Sequence, residues 1–494
     1  MIDGAHLPVL QVVVPLVCAP LIVLVRHSRA AWAIAVAASF FFLVSSIVIL
    51  QEVQRAGVIS YAIGSWPAPW GIEYRIDAAN AFMLVLLGFV AAVVAPYAWA
   101  SVRVEVPREN HYLFYALYCL ALAGLGGITV TGDAFNLFVF LEISSLASYV
   151  LIALDRDRRA LLAAYQYLIL GTIGATFIVI GVGLLYLMTG TLNLADIATR
   201  LGDVRQSRPV LAALAFLTVG VSLKAALFPL HMWLPGAYAH APSAVSALLA
   251  ATATKVSVYV LLRFYFSVFG TTSVFTAMPM GDVLLALSIV AMIVASIAAF
   301  FQSDLKRLLA YSSVAQIGYI TLGVSFASAT GLTGGIVHLF NHGVTKGALF
   351  MLAGTIVFRL GSTRLERMAG LARSMPITCA GIVVGGLGLI GVPGTAGFIT
   401  KWYLVLAAIE AGAWWIAFVV VASSMIAVAY VWRFVEVAYF RAPSDETSRL
   451  REGPAALLVP AGILLAASVY FGLVPSLTLG AASGAAEALL AGPR

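Results

Sequence analysis

The sequence predicts an all-α, polytopic membrane protein with about fourteen transmembrane helices. Three observations carry this. Hydrophobic residues make up 62% of the 494 and charged residues only 10%, where a soluble chain carries about 25% charged. The apolar residues fall in runs of about 20, enough to cross ~30 Å of hydrocarbon at 1.5 Å per residue. Lys and Arg also concentrate in alternate loops, for example Arg156, Arg158 and Arg159, then Arg359, Arg364, Arg367 and Arg373.

The runs place helices at 7–26, 30–50, 78–101, 111–131, 134–154, 162–189, 209–231, 241–266, 281–302, 306–326, 331–358, 376–409, 413–436 and 455–477. The first is not expected to be a signal peptide. Asp3 stands before it with no basic segment, and it ends in Arg26-His27-Ser28-Arg29 without a small-residue cleavage site. Residues 51–77, with Pro67, Pro69 and Gly71, read as a long connection, and 192–208 as a polar, amphipathic link. The seventh helix is expected to break at Phe228-Pro229, and a connection punctuated by Pro235-Gly236 and Ala241-Pro242 leads to the eighth. The twelfth is expected to break at Val392-Pro393-Gly394.

Basic residues favour the odd-numbered loops, which places those loops in the cytoplasm and both termini on the opposite side of the cell membrane. The +7 net charge is then a property of cytoplasmic loops, and no nucleic-acid partner is expected. Helices five to eight and ten to thirteen share a loose pattern in which a proline-broken helix carries a lysine, the signature of a pathway built from inverted repeats. The expected organisation is residues 1–110 as helices one to three, 111–270 as a first repeat, 271–440 as a second, and 441–494 as the C-terminal helix. Cys18, Cys119 and Cys379 lie in apolar runs with no metal or redox spacing and read as small core residues.

Charges inside the spans are the functional signal. Glu142, Lys224, Lys255, Lys346 and Lys401 all fall within apolar runs. At about 2.5–3.5 kcal/mol for each charge, they would cost roughly 12–17 kcal/mol if uncompensated. A Glu142–Lys224 pair alone can also be read as a staple holding two helices in register. One glutamate cannot pair with four lysines, however, and lysines without carboxylates are best explained as groups able to give up a proton. His338, His342 and Lys346 recur at i, i+4 and i+8 on one helix, which suggests a relay face. Two histidines at i, i+4 also fit a metal site, but no third ligand is evident and no metal is expected. His231 and His240 are weaker candidates for proton entry. Ser144, Ser145 and Tyr149 read as ordinary interhelical hydrogen-bonding groups. Asp304, Lys306 and Arg307 sit at a helix start, where capping and anchoring competes with a functional role.

The stretches FLEISSLASYVLIAL, SLKAALFPLHMWLPGAYAHAPSAVSALLAATATKVSVYVLLRF, DLKRLLAYSSVAQIGY, GGIVHLFNHGVTKGALFML and GVPGTAGFITKW resemble the antiporter-like proton-translocating subunits. That family is shared by respiratory complex I, membrane-bound hydrogenases and Mrp-type cation/proton antiporters. The likeness spans residues 75 to 440. It implies fourteen helices, inverted five-helix repeats with helices 7 and 12 broken, and a polar axis at mid-membrane. It also implies that Glu142 is the switch glutamate, Lys224 its partner and Lys255 the connecting lysine. His338, His342 and Lys346 would form the central relay, and Lys401 the terminal lysine. Lys401, the LPGAY segment and the chain's length look most like the D-type subunit of the Mrp antiporter, while His240 stands where relatives often carry a glutamate.

The expected function is therefore that of a proton-conducting subunit in a multisubunit Na⁺ or K⁺/proton antiporter. The alternative is the proton-pumping subunit of a complex I-like NADH:quinone oxidoreductase or membrane-bound hydrogenase. A scaffold with vestigial charges is a third class. Other membrane subunits, protons, Na⁺ or K⁺ and the bilayer are the expected partners. With no suitable cysteine set and no G-x-G-x-x-G after a strand, no cofactor is expected and the chain is not expected to be a redox catalyst by itself.

Overall fold

The computed structural model describes residues 6–492. Asp3, on which the expectation about the N-terminus partly rests, and Arg494 lie outside them. Helices α1 (Leu7–Val25) and α2 (Ser28–Ala56) lead to a two-stranded antiparallel hairpin, β1 (Ile59–Ala62) and β2 (Glu73–Ile76), with Ile59 opposite Ile76. The hairpin occupies what the sequence suggests is plain connection. Asp77 then starts α3 (Ala78–Glu105) with a capping box, its side chain accepting from Ala79 and Asn80 while Asn80 accepts from the Asp77 amide. Next come α4 (His111–Val130), α5 (Ala134–Ala153), α6 (Arg158–Thr189) and the short α7 (Leu194–Arg200) in the polar link.

The seventh expected helix is broken where Phe228-Pro229 predicts, but the connection beyond it differs from the expectation. Helix α8 (Arg208–Ala225) ends in a left-handed Ala226, and α9 (Trp233–His240) takes Pro235 and Gly236 into its body, so only Ala241-Pro242 acts as punctuation. The eighth is broken as well, into α10 (Ser243–Ala251) and α11 (Ala253–Leu262) at Thr252, with no proline to announce it. Helix α11 runs on into a wider turn at Arg263–Val268.

Then follow α12 (Met280–Phe300), α13 (Leu305–Ser325) and α14 (Ala329–Leu360). The twelfth expected span is α15 (Pro376–Ile390) and α16 (Ala396–Glu410), separated where Val392-Pro393-Gly394 predicts. The chain ends with α17 (Trp414–Val435), α18 (Asp445–Ser448), α19 (Ala455–Leu473) and α20 (Ser476–Leu490). The last of these goes beyond the sequence expectation, in which 455–477 is the closing helix.

Among the described residues, 13 helices are long and apolar enough to cross a membrane, and α15 is a shorter apolar helix. The chain is a multi-pass membrane protein. Its middle is α14, buried without interruption from Gly331 to Ile356. It packs against α3, α10, α13, α15, α16, α19 and α20. A helix that is buried all round presents every side chain to protein, so the polar groups of α14 depend on neighbouring helices for partners.

Candidate proton-transfer axis

Two of the breaks, at Thr252 and between α15 and α16, bring a lysine to main-chain carbonyls, whereas the lysine beside the α8 break meets side chains. Lys224 lies in the last turn of α8 and is 4% exposed. Its Nζ is 3.2 Å from Glu142 Oε1 on α5, 2.8 Å from Ser145 Oγ and 3.4 Å from Tyr149 OH. The expected pair is therefore formed. Ser145 and Tyr149 do make interhelical hydrogen bonds, and the group they meet is Lys224 itself. Ser144 instead donates to Leu141 on its own helix. Trp233, which the sequence does not single out, stacks flat on Tyr167 at 3.8 Å and donates to the Leu223 carbonyl at the end of α8.

Lys255, 1% exposed, turns back along α11 to donate to the carbonyl of Ala250, before the Thr252 break, and lies 3.4 Å from Thr254 Oγ1. Gly343 of α14 fits against that break. A Cβ there would come within 2.8 Å of the Ala251 carbonyl, so glycine is what lets α14 approach the break between His342 and Lys346.

The α14 residues divide between two neighbours. His338 Nδ1 lies 3.0 Å from Thr400 Oγ1 on α16, whereas Lys346 donates to the Leu309 carbonyl at 2.7 Å and to Ser312 on α13. The i, i+4, i+8 spacing suggests one side for all three. At 100° per residue, eight residues leave an offset of about 80°, enough to send Lys346 to a different helix. His342 stands between, its ring stacked on that of His338 at 5.7 Å and 10°. Among the described residues, neither nitrogen of His342, nor Nε2 of His338, meets a hydrogen-bond partner.

Lys401 closes the series. Its Nζ donates to the Leu389 and Ile390 carbonyls at the end of α15, at 3.1 and 2.7 Å, and to Ser424 Oγ at 2.7 Å. A cation at a helix C-terminus meets the negative end of the macrodipole. It also sits 4.6 Å above the ring of Tyr319, which meets His338 at 5.9 Å. Among the described residues, Lys255, Lys346 and Lys401 form no ion pair, in contrast to Lys224. Each of the four lysines does meet a hydroxyl: Ser145, Thr254, Ser312 and Ser424 respectively.

A second buried pair has no counterpart among the sequence expectations. Glu105, at the end of α3, binds the Ser243 amide with both oxygens at 3.0 Å and lies 3.8 Å from Lys306. Lys306 is 3% exposed and also donates to the Ala241 carbonyl. Asp304 does cap α13, accepting from the Arg307 amide. His240 ends α9 nearby, outside the long spans, and burial lowers its pKa, helped by the Arg159 charge. Partners more than 130 residues apart leave no local signal.

The halved helices and the buried lysines on neutral oxygens define a class, the antiporter-like membrane subunits. Residues 131–427 match the family described as NADH:quinone oxidoreductase/Mrp antiporter, transmembrane, and the chain belongs to that family. It is 42% identical to NADH-quinone oxidoreductase subunit N of Desulforudis audaxviator over 95% of this chain and 96% of that one. It is 30% identical to the D-type subunit of the Na(+)/H(+) antiporter of Alkalihalophilus pseudofirmus over 94% of each chain. Its fold matches a chain of the Mrp complex from Dietzia sp. DQ12-45-1b with a TM-score of 0.90 at 26% identity, covering 99% of this chain and 98% of that one.

Proposed function

We propose that the chain is the proton-conducting membrane subunit of a multisubunit Na⁺ or K⁺/proton antiporter. It would lie in the cell membrane with both termini on the non-cytoplasmic side and other membrane subunits against its flanks. Protons would pass along Glu142, Lys224, Lys255, His338, His342, Lys346 and Lys401, through two inverted repeats at 111–270 and 271–440. The observation that carries this reading is the Glu142–Lys224 pair at the head of three buried lysines with no counter-ion.

The lysine sites suit a mobile proton. An ammonium only donates, a neutral amine also accepts, and a hydroxyl can serve either. A lysine beside a hydroxyl therefore finds a donor for its lone pair when neutral, which a carbonyl alone cannot supply. When Glu142 moves away from Lys224, the buried ammonium loses its counter-charge and sheds its proton toward Lys255. The unpartnered nitrogens of His342 and His338 suit hydrogen bonds to water between Lys255 and Lys401.

The test is proton uptake by sealed membrane vesicles on adding Na⁺ or K⁺, with no electron donor present. Cation-driven pH change that disappears in assembled Lys224→Ala or Glu142→Gln variants supports the reading. Unchanged activity in those variants overturns it. A second reading, proton pumping driven by quinone chemistry in partner subunits, is favoured by the 42% identity to an NADH-quinone oxidoreductase subunit. It predicts no response to cations and a pH change only when electrons flow.

A further inference from the structure

A cavity of about 350 Å³ opens at the hairpin end of the bundle, lined by Arg75, Asp77, Asn80, Arg263, Ser267 and Glu487 among others. Arg263, in its lining, continues the helical run that carries Lys255. Lys255, Tyr259 and Arg263 follow one another at intervals of four along α11 and its continuation, so the guanidinium stands ~12 Å from the lysine along the helix axis. The groups between are joined. Arg263 Nε donates to Tyr259 OH at 2.8 Å, Asn80 donates to the same oxygen at 2.7 Å, and Tyr259 donates to the Thr129 carbonyl at 3.1 Å. Arg263 grips Asp77 with two nitrogens, one at 2.6 Å. Its side chain is 11% exposed and that of Asp77 19%.

Such a file, running from one turn beyond a buried lysine to an open cavity, resembles an exit, but its chemistry does not. Arginine stays protonated in proteins and the asparagine amide does not titrate, so before the Arg263–Asp77 pair only the Tyr259 hydroxyl could hand on a proton. Both of its neighbours along the file are fixed. A guanidinium held across a narrow polar route repels cations and protons. Lys255 agrees, since its ammonium is turned away from Arg263 toward Ala250.

We propose that Arg263, held in place by Asp77, closes the axis at the hairpin end, so that a proton on Lys255 passes to α14 instead of escaping through the cavity. The proposal rests on the reading of Lys255 as a proton carrier. A purely structural role, stapling α11 to the start of α3, would need the pair but not its positive charge.

The two are separated by imposing a pH step on sealed vesicles that hold the assembled complex and following its decay without transported cation. The Arg263→Lys variant, which keeps the charge, should decay at the wild-type rate. The neutral pair Asp77→Asn/Arg263→Gln, which leaves no charge unpaired, should decay several-fold faster. Adding Lys255→Ala to that pair should restore the wild-type rate. A neutral pair that assembles and stays tight overturns the proposal, as does a leak in Arg263→Lys or one that survives Lys255→Ala. If Lys255→Ala alone leaves cation-driven proton transport intact, the underlying reading fails, and that is measured separately in the same vesicles.

Discussion

Lys224 and Glu142 lie 3.2 Å apart in unequal surroundings: the lysine side chain is 3% exposed and the glutamate 24%. The glutamate lies on the face of α5 that carries the exposed Val139 and Leu146, while Lys224 points inward to Ser145 and Tyr149. The carboxylate is thus the partner with room to move. Shortening it by one methylene, ~1.5 Å, in Glu142→Asp should weaken the pair yet keep a charge to exchange. Glu142→Gln removes the charge. Cation-driven proton flux should fall about 5- to 150-fold in Glu142→Gln, the span of a 1–3 kcal/mol coupling, with Glu142→Asp in between. Equal loss in both would mean that the pair acts as a rigid staple.

Much of this arrangement is legible in the sequence because charge in an apolar run is conspicuous. Of the seven residues singled out, Lys224, Lys255 and Lys401 fall in helices beside a break, His338, His342 and Lys346 on α14, and Glu142 on the continuous α5. What stays hidden is set by distance or by backbone. The Arg263–Asp77 and Glu105–Lys306 pairs join residues 186 and 201 positions apart, and each member taken alone looks like a loop anchor. The Thr252 break has no proline or glycine to mark it. Helix α9 is hidden because Pro235 falls in its first turn, where a missing N–H costs nothing, yet in the sequence Pro-Gly looks like a turn.

Gly391 should tolerate no side chain. It caps α15 at φ 86°, and a Cβ there would come within 2.8 Å of Lys401 Cδ. The left-handed backbone alone disfavours Ala by about 1–2 kcal/mol. The contact adds to this by pushing Lys401 off the Ile390 carbonyl. Gly391→Ala should therefore lower the melting temperature and lose proton flux together. Ala at Gly462, whose Cβ would meet nothing within 4 Å, should leave flux unchanged.

Asp155, in the connection between α5 and α6, gives a pH dependence outside the spans. Burial, aided by the Glu105 charge, pushes its carboxyl from 3.8 up to about 6, against the hydrogen bond from the Asp157 amide and the attraction of Lys306. Folding thus favours the protonated form. Below pH 4 the residue carries no penalty in either state, between pH 4 and 6 the folded state loses stability as pH rises, and above 6 the full penalty applies. At 1.36 kcal/mol per pH unit, that penalty is at most about 3 kcal/mol, and less where water screens the group. Asp155→Asn should raise the melting temperature at pH 7.5 and leave it unchanged at pH 4. A gain of the same size at both values would show that the carboxyl does not titrate in this window.

Lys346 distinguishes a proton carrier from an anchor. Its ammonium rests on the Leu309 carbonyl at 2.7 Å and on Ser312, and it is fully buried. An anchor needs only a positive group with donors, which arginine supplies in greater number. A carrier must spend part of each cycle neutral, and guanidinium does not deprotonate in proteins. Lys346→Arg should therefore block flux as fully as Lys346→Ala, although it keeps the charge. Ser312→Ala, which removes the partner able to donate to a neutral amine, should slow flux without abolishing it, because the Leu309 carbonyl still holds the ammonium. Cation-driven pH change in vesicles, normalised to assembled complex, reads all three. Near-normal flux in Lys346→Arg would make Lys346 an anchor and take it out of the proton path.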